Sequence, residues 1–327
     1  MAGARQIDGL VKDQAGQPLQ GYRVRAWDED WPDSNDFMGE ATTNPNGYYL
    51  INYAGGHWDP GPHSITTWRP DAFVVAEAQN QFGQWSRVAR SGTYNDHRLA
   101  NGLTINLTVN VLPSLSKNTG FDPLKYGFHF PNSFAVTPQV LGLQLGTWNM
   151  GFCGGMVAGA LNRFNKKIAA PADTVTPVQG TPLFNELLTR QKASMPASTI
   201  ATILTWQSSP DQSHTLAPHS VGWRTKQLWP LLKARLDQGK PTDLVLIRVE
   251  GVAADPSRNH QVLAYAYDWV GATRDLTIHA YDPNHADTSV QLKMNFGLPH
   301  NDIHARQSTG ERLRGFFVNL NGDVAAA

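Results

Sequence analysis

Hydrophobic and polar residues alternate with a period of two along the first third of the chain. The alternating runs lie at 6–12, 22–27, 48–53, 73–78 and 103–109. This period is that of a strand with one buried face. Turn residues separate the runs, as in the Asn-Pro-Asn-Gly stretch at 44–47. The pattern therefore predicts an all-β, antiparallel sandwich domain over residues 1–112.

The pattern changes after a polar, proline-containing segment at 113–122, which we predict to be a linker. Residues 123–327 first show helical periodicity, after Cys153, from 181 and over 225–238. Strand-like runs then follow at 243–249, 261–267, 276–281, 290–296 and 313–320. Helices followed by an antiparallel sheet are typical of an α+β domain, so the chain is predicted to hold two domains.

Charge and composition exclude some classes of partner and limit the compartments in which the protein is expected. The 27 basic and 27 acidic residues cancel, and 41% of residues are hydrophobic. A balanced chain offers no electrostatic attraction to nucleic acid or to an anionic membrane. We see no uninterrupted apolar run long enough to span a bilayer, and no secretory signal at the start. The expected location is the cytoplasm, or outside it by a signal-independent route.

The chain has one cysteine, Cys153, which excludes a disulfide within it and draws attention to the thiol. Cys153 follows a loop-like stretch and precedes an apolar-faced helix. The free N–H groups and the macrodipole at a helix start stabilise a thiolate. Gly154 and Gly155 leave room for a substrate carbonyl. These features favour Cys153 as a nucleophile.

His260 and Asp282 complete the arrangement that acyl transfer by a cysteine requires. His260 begins a strand-like run, and Asp282 ends the next one. If the two strands pair through a turn near 268–271, both residues reach the same end of the sheet. We predict a catalytic triad of Cys153, His260 and Asp282. Asn284 is the alternative third member.

Four segments of the second domain resemble a papain-like bacterial cysteine peptidase family that is largely uncharacterised. They lie at 151–156, 259–265, 281–284 and 314–318, and the resemblance covers about residues 126–320. It implies a papain-like α+β fold and hydrolysis of a peptide or other amide. Residues 4–111 resemble transthyretin-like and carboxypeptidase-regulatory-like sandwich modules, which implies a binding or adaptor role.

The oxyanion donor departs from the pattern of that family. Papain-like enzymes carry a glutamine shortly before the cysteine, whereas Thr147 stands at the usual position here. Gln144 and Asn149 are the candidate substitutes, together with the backbone N–H of Cys153. Loss of one such donor typically lowers the rate about 10²–10³-fold.

Three other groups of residues are weaker candidates for binding. The acidic stretch 28–36 has the oxygen ligands that calcium requires, but a solvated loop is the simpler interpretation. His300 and His304 stand four residues apart, and Pro299 favours a surface turn over a zinc site. Five tryptophans of the first domain suit either a core or an aromatic binding platform, and they are Trp27, Trp31, Trp58, Trp68 and Trp85. We expect neither metal nor cofactor.

The sequence therefore predicts a cysteine-dependent hydrolase, a peptidase or amidase, that acts through a thioester acyl-enzyme. The alternative is a catalytically inactive binding or adaptor protein that has kept the same domain. A third hypothesis concerns the biological setting, in which a contractile injection machine exports the protein as an effector. The sandwich domain would then be the segment that binds the secretion machine or another protein partner.

Overall fold

The computed structural model describes residues 5–29, 34–53, 71–95, 102–137, 139–140, 143–144 and 148–327, with only the backbone between 139 and 150. The chain divides into two compact units. The first comprises residues 1–114 and 270–274, and the second comprises 115–269 and 275–327. The linker predicted from the sequence, 113–122, includes the point at which the first unit gives way to the second.

The first unit consists of two sheets around one apolar core. Its strands are β1 (Arg5–Asp13), β2 (Arg23–Asp28), β3 (Asp36–Thr42), β4 (Tyr48–Tyr53), β5 (Ala72–Gln79), β6 (Trp85–Arg90), β7 (Leu103–Thr104) and β8 (Leu107–Val109). One sheet joins β4, β1, β7 and β8, and the other has the order β3-β2-β5-β6. Ile7 and Ile51 of the first sheet and Val24 and Val74 of the second lie in the same buried cluster. The inner faces of the two sheets therefore enclose the core.

The second unit contains all the helices of the described residues. Its elements are β9 (Leu115–Asn118), α1 (Pro123–Tyr126), β10 (Phe134–Val136), β11 (Gln139–Val140), β12 (Leu143–Gln144), β13 (Trp148–Met150), α2 (Cys153–Lys166), α3 (Pro182–Ser194), α4 (Ala197–Gln207), α5 (Val221–Asp237), β14 (Thr242–Ile247), β15 (His260–Val270), β16 (Asp275–Tyr281), β17 (Ser289–Asn295), β18 (Arg306–Gln307), β19 (Gly315–Val318) and α6 (Asn321–Ala326). Two 3₁₀ turns lie at Pro256–Arg258 and Pro299–Asn301.

A seven-stranded sheet is the framework of this unit. Its order is β18-β17-β16-β15-β14-β19, and β9 pairs with the far half of β15. Two small ladders, β10 with β13 and β11 with β12, lie outside it. Successive residues of β15 belong to different buried apolar clusters. Val262 lies in one cluster with Leu232 of α5, while Leu263 lies in another with Leu161 of α2. Helices therefore cover both faces of the sheet.

Helix α2 is buried almost all the way round, from Gly154 to Phe164. The apolar stripe that the sequence predicts packs on the sheet, and glycines on other sides admit close neighbours. A Cβ atom at Gly155 would lie 2.2 Å from the carbonyl oxygen of Leu187 in α3. Thr181 caps α3 by accepting the N–H of Phe184. Small residues thus let α2 approach α3 much more closely than side chains would permit.

The fold class predicted from the sequence, an α+β chain with a papain-like hydrolase domain, is wrong. The molecule is built mainly of β-sheet, and about a quarter of the described residues are helical. The helical periodicity that led to the prediction is real but occupies mainly the segment between 153 and 237. Sheets make up the first unit, and a large sheet is the framework of the second. Local periodicity identifies individual elements, whereas the balance between layers depends on their packing.

Candidate active site

His260 and Asp282 lie together at one end of the large sheet. His260 is the first residue of β15, and Asp282 directly follows the neighbouring strand β16. The turn at 271–274 connects these strands. Nε2 of His260 is 2.5 Å from Oδ1 of Asp282, and the two residues are 5% and 0% exposed. The structure therefore brings together the predicted base and its predicted carboxylate partner.

Cys153, the predicted nucleophile, is half-buried at the first position of α2. The imidazole of His260 and the backbone N–H groups of Gln261 and Gly154 act on its thiol. Because Nε2 of His260 faces Asp282, Nδ1 is the ring nitrogen left for the thiol. The N–H groups of the first turn have no acceptor within the helix. The sulfur atom thus lies among donors that stabilise its anionic form.

Opposing effects act on the thiol and the imidazole. Burial raises the pKa of the Cys153 thiol, but the hydrogen bond and charge of His260, with the two backbone N–H groups, lower it below its ordinary value. Burial lowers the pKa of His260, whereas the charge and hydrogen bond of Asp282, reinforced by Cys153, raise it to about 9. Both net shifts favour a thiolate–imidazolium pair over the neutral pair.

Asp282 is held by several groups besides His260. Gln307 donates its side-chain N–H to Oδ2 at 2.9 Å, and the backbone N–H of Asn284 donates to Oδ1 at 2.8 Å. The guanidinium of Arg248 lies 3.8 Å from Oδ2. Burial raises the pKa of Asp282, but the charge and hydrogen bond of His260, with the N–H of Asn284 and the charge of Arg248, lower it below its ordinary value. The carboxylate therefore remains charged despite complete burial.

Asn284, the alternative third member of the triad, has a different partner. Its side-chain Oδ1 accepts a hydrogen bond of 2.9 Å from Nδ2 of Asn132. Oδ1 of Asn132 in turn accepts the backbone N–H of Phe152 at 2.6 Å. In this geometry the partner of the imidazole is Asp282. Asn284 instead connects the loop after β16, through Asn132, to Phe152, the residue before the cysteine.

A buried polar layer lies directly behind the site. The side-chain N–H of Gln261 donates to Oδ2 of Asp243 at 2.9 Å, and Asn319 donates to the same oxygen at 2.7 Å. Oδ1 of Asp243 is buried and has no hydrogen-bond partner in the part of the chain that the structure describes. Burial raises the pKa of Asp243 to about 7, although these two donors act in the opposite direction. Asp243 therefore titrates near neutrality beneath the residue that follows His260.

The predicted oxyanion donors are located only in part. Gln144 is in β12 and Asn149 is in β13, where Asn149 pairs with Ala135 of β10. The side chains of both, and the whole of Thr147, lie outside the described residues. The backbone N–H of Cys153, at the first position of α2, is the donor that the described structure offers.

Sequence reasoning missed five polar residues that surround the site: Asn132, Asp243, Arg248, Gln261 and Gln307. Two of them gave a usable signal. Asp243 and Gln261 are polar residues inside otherwise apolar strands, and a buried polar group requires a partner. Asn132 precedes β10, Arg248 follows β14 and Gln307 ends β18, and no sequence pattern indicates which surface they face.

The weaker binding candidates are described only in part. Residues 30–33 of the acidic stretch are not described, and Asp28 accepts the N–H of Asp71. His300 and His304 have positive φ angles of 52° and 45° around the predicted turn. Within the described ranges, no cluster of three or more histidine, cysteine or acidic residues could hold a metal.

The tryptophans of the first unit fall into two groups. Trp27 packs at a steep angle on Phe37 with Arg25 above its ring, and Trp85 lies beneath Arg23. Trp31, Trp58 and Trp68 lie outside the described residues. The two described tryptophans thus form cation–π pairs on one sheet instead of filling the core.

No helix among the described residues has both the length and the apolar character of a membrane span. No protein-family model matches the chain, and no curated protein matches it. Solved structures give distant likenesses only. A 9R-lipoxygenase from Cyanothece PCC8801 is 12% identical with a TM-score of 0.26; the match covers 99% of this chain but only 43% of the lipoxygenase, so the chain spans less than half its length.

Two further structures cover smaller parts of the chain. The dioxygenase domain of a carbohydrate-binding fusion from Streptomyces sp. SirexAA-E is 16% identical over 33% of this chain and 79% of its own, with a TM-score of 0.20. A streptococcal ancillary pilin is 10% identical over 45% of this chain and 47% of its own, also with a TM-score of 0.20. None of the three is papain-like. Scores this low identify no shared activity.

Proposed function

We propose that the protein is a cysteine-dependent hydrolase that cleaves a peptide or another amide bond. The observation that supports this function best is the buried, hydrogen-bonded pair of His260 and Asp282, whose imidazole acts on the thiol of Cys153. The three residues come from different elements, and each has a pKa displaced toward the charged form. Such displaced pKa values in mutual contact are typical of active sites.

The proposed reaction has two steps. The thiolate of Cys153 attacks the amide carbonyl carbon, and the imidazolium of His260 gives its proton to the leaving nitrogen as the C–N bond breaks. The resulting thioester is then attacked by water, whose proton passes to the now neutral His260. The C–S bond breaks and the thiolate returns. In this reaction the N–H of Cys153 stabilises the oxyanion of each intermediate.

The rate of iodoacetamide alkylation at Cys153, measured against pH, tests this proposal. We expect a labelling pKa below the ~8.5 of a free thiol, and we expect His260→Ala to raise it. Asp282→Asn should raise this pKa less, because the imidazole of His260 keeps a hydrogen-bond partner but no longer faces a negative charge. His279→Ala is the matched control, because His279 forms an imidazole–carboxylate pair with Asp268 away from the thiol. An ordinary pKa that His260→Ala leaves unchanged would instead favour a binding protein without catalysis.

Acyl transfer itself can be tested with an activated ester. p-Nitrophenyl acetate should release a burst of nitrophenol equal to the concentration of protein, and mass spectrometry should locate the acetyl group on Cys153. Cys153→Ala should abolish the burst. A reactive thiol that never becomes acylated would rule out the proposed thioester.

A further inference from the structure

The side chain of Asn132 joins two parts of the chain that are far apart in sequence, the start of α2 and the loop after β16. It precedes β10, whose Phe134 pairs with Met150 of β13, so Asn132 lies opposite the residues that lead into α2. Its Oδ1 accepts the N–H of Phe152, and its Nδ2 donates to Asn284. The N–H of Phe152 fixes which end of the Asn132 amide is oxygen. One side chain therefore acts as acceptor toward the helix start and donor toward the loop after β16.

The bridge completes a closed ring of interactions. The N–H of Asn284 donates to Oδ1 of Asp282, the oxygen that also accepts His260. His260 interacts with the thiol of Cys153. Phe152, the residue before Cys153, donates its backbone N–H to Asn132 and so closes the ring. A ring of this kind restrains the separation of sulfur and imidazole from both sides.

We infer that Asn132 is a positioning residue that sets the contact between the Cys153 thiol and His260. This inference rests on the proposed function. Helix α2 and the loop after β16 are separate elements, and a small shift between them would weaken a hydrogen-bonded ion pair. Asn284 is the second part of the same device, because it transmits the position of Asn132 to the carboxylate of Asp282.

Alkylation of Cys153 in Asn132→Ala, Asn284→Ala and the double variant tests the inference. Each single change should raise the labelling pKa and slow labelling at neutral pH about threefold to tenfold, the effect of one lost hydrogen bond. The double variant should be no slower than the slower single variant, because both changes open the same ring. Asn185→Ala is the matched control, since among the described residues its side chain bonds only the carbonyl of Gly180.

The outcomes separate this inference from the proposed function. An ordinary labelling pKa in the unaltered protein would contradict the proposed function. A depressed, His260-dependent pKa that Asn132→Ala and Asn284→Ala leave unchanged would contradict only the positioning role. Additive effects in the double variant would also overturn the ring. Both single variants could lose stability in thermal unfolding while their thiol pKa stays as low as in the unaltered protein, or neither could fold. In either case the bridge is structural and the inference fails.

Discussion

At Cys153 and His260, burial and the neighbouring charge act on the pKa in opposite directions, and the charge prevails at both. Asp243 in the same unit shows the contrary result, because burial prevails there over two hydrogen bonds. The difference lies in the partners. His260 faces a full carboxylate charge, whereas the hydrogen bonds of Asp243 come from the neutral amides of Gln261 and Asn319. Neutral donors stabilise a buried charge less than an opposite charge does.

Asp243 should therefore make the fold less stable as the pH rises. Its pKa is about 7 in the folded protein against an ordinary value of 3.8, so the folded state binds the additional proton between those values. The free energy of unfolding contributed by this group is highest below about pH 4 and falls as the pH rises to about 7. In Asp243→Asn this contribution disappears. We expect the variant to gain about 2–4 kcal/mol relative to the unaltered protein between pH 4 and pH 8.

Urea unfolding of both proteins across this pH range measures the difference, in which other titrating groups cancel. Asparagine keeps an oxygen that can accept from Gln261 and Asn319. Its NH₂ group takes the position of Oδ1, which has no hydrogen-bond partner among the described residues. The substitution therefore preserves the existing hydrogen bonds. A difference that stays constant with pH would mean that Asp243 remains charged in the folded state.

At the level of single residues, the sequence identified the groups with distinctive chemistry. Cys153, His260 and Asp282 could be selected because each stands at the boundary of a predicted element, where side chains reach a common edge. Asn132 and Gln307 could not be selected in this way. Amides occur along the whole chain, and only the folded backbone determines which of them meet a carboxylate or a helix start.

At the level of elements, the close contact between α2 and α3 holds the cysteine in place. Gly155→Ala would put a methyl group 2.2 Å from the carbonyl oxygen of Leu187, a backbone atom that cannot rotate away. The helices must separate, and we expect the free energy of unfolding to fall by about 1–3 kcal/mol despite the better helix propensity of alanine. Chemical unfolding measures this change.

Gly92→Ala is the matched control for that substitution, because a Cβ atom at Gly92 meets nothing within 4 Å. Its effect should stay within about 0.5 kcal/mol. Equal effects of the two substitutions would show that the packing of α2 on α3 is less tight than the backbone indicates.

Element prediction worked where periodicity is strong and failed where it is weak. The expected helix at 225–238 corresponds to α5, and the expected strand at 276–281 to β16. Strands β3 and β6 and helix α4 were missed. β6 has no fully buried residue, and β3 has only one, so neither shows the alternation on which the prediction depends. α4 begins after Pro196 without a side-chain cap, which removes the usual start signal.

At the level of the whole molecule, the thiol chemistry should be independent of metal. The charge that lowers the pKa of Cys153 comes from His260, and no metal-binding cluster occurs in the ranges that the structure describes. Dialysis against a chelator should leave the alkylation rate and the thermal unfolding midpoint unchanged. A loss of either that added Zn²⁺ restores would point to a metal bound elsewhere in the chain.

The fold class shows the limit of reasoning from sequence at this scale. Helices α2, α3 and α5 and strands β14 to β17 of the second unit were placed correctly, yet the predicted α+β class was wrong because the sheets outweigh the helices. Periodicity reports which face of a segment is buried. It does not report how many layers assemble. Apart from the pairing of β15 with β16 across a turn, the order β18-β17-β16-β15-β14-β19 follows no sequence signal.

Because Cys153 is the only cysteine of the chain, its oxidation has no internal remedy. An activated thiolate forms sulfenic acid readily, and many proteins trap that product as a disulfide with a second cysteine of their own. Here the sulfenic acid must either meet an external thiol such as glutathione or proceed to the irreversible sulfinic acid. The working lifetime of the protein in an oxidising environment would then be set by the supply of small thiols around it.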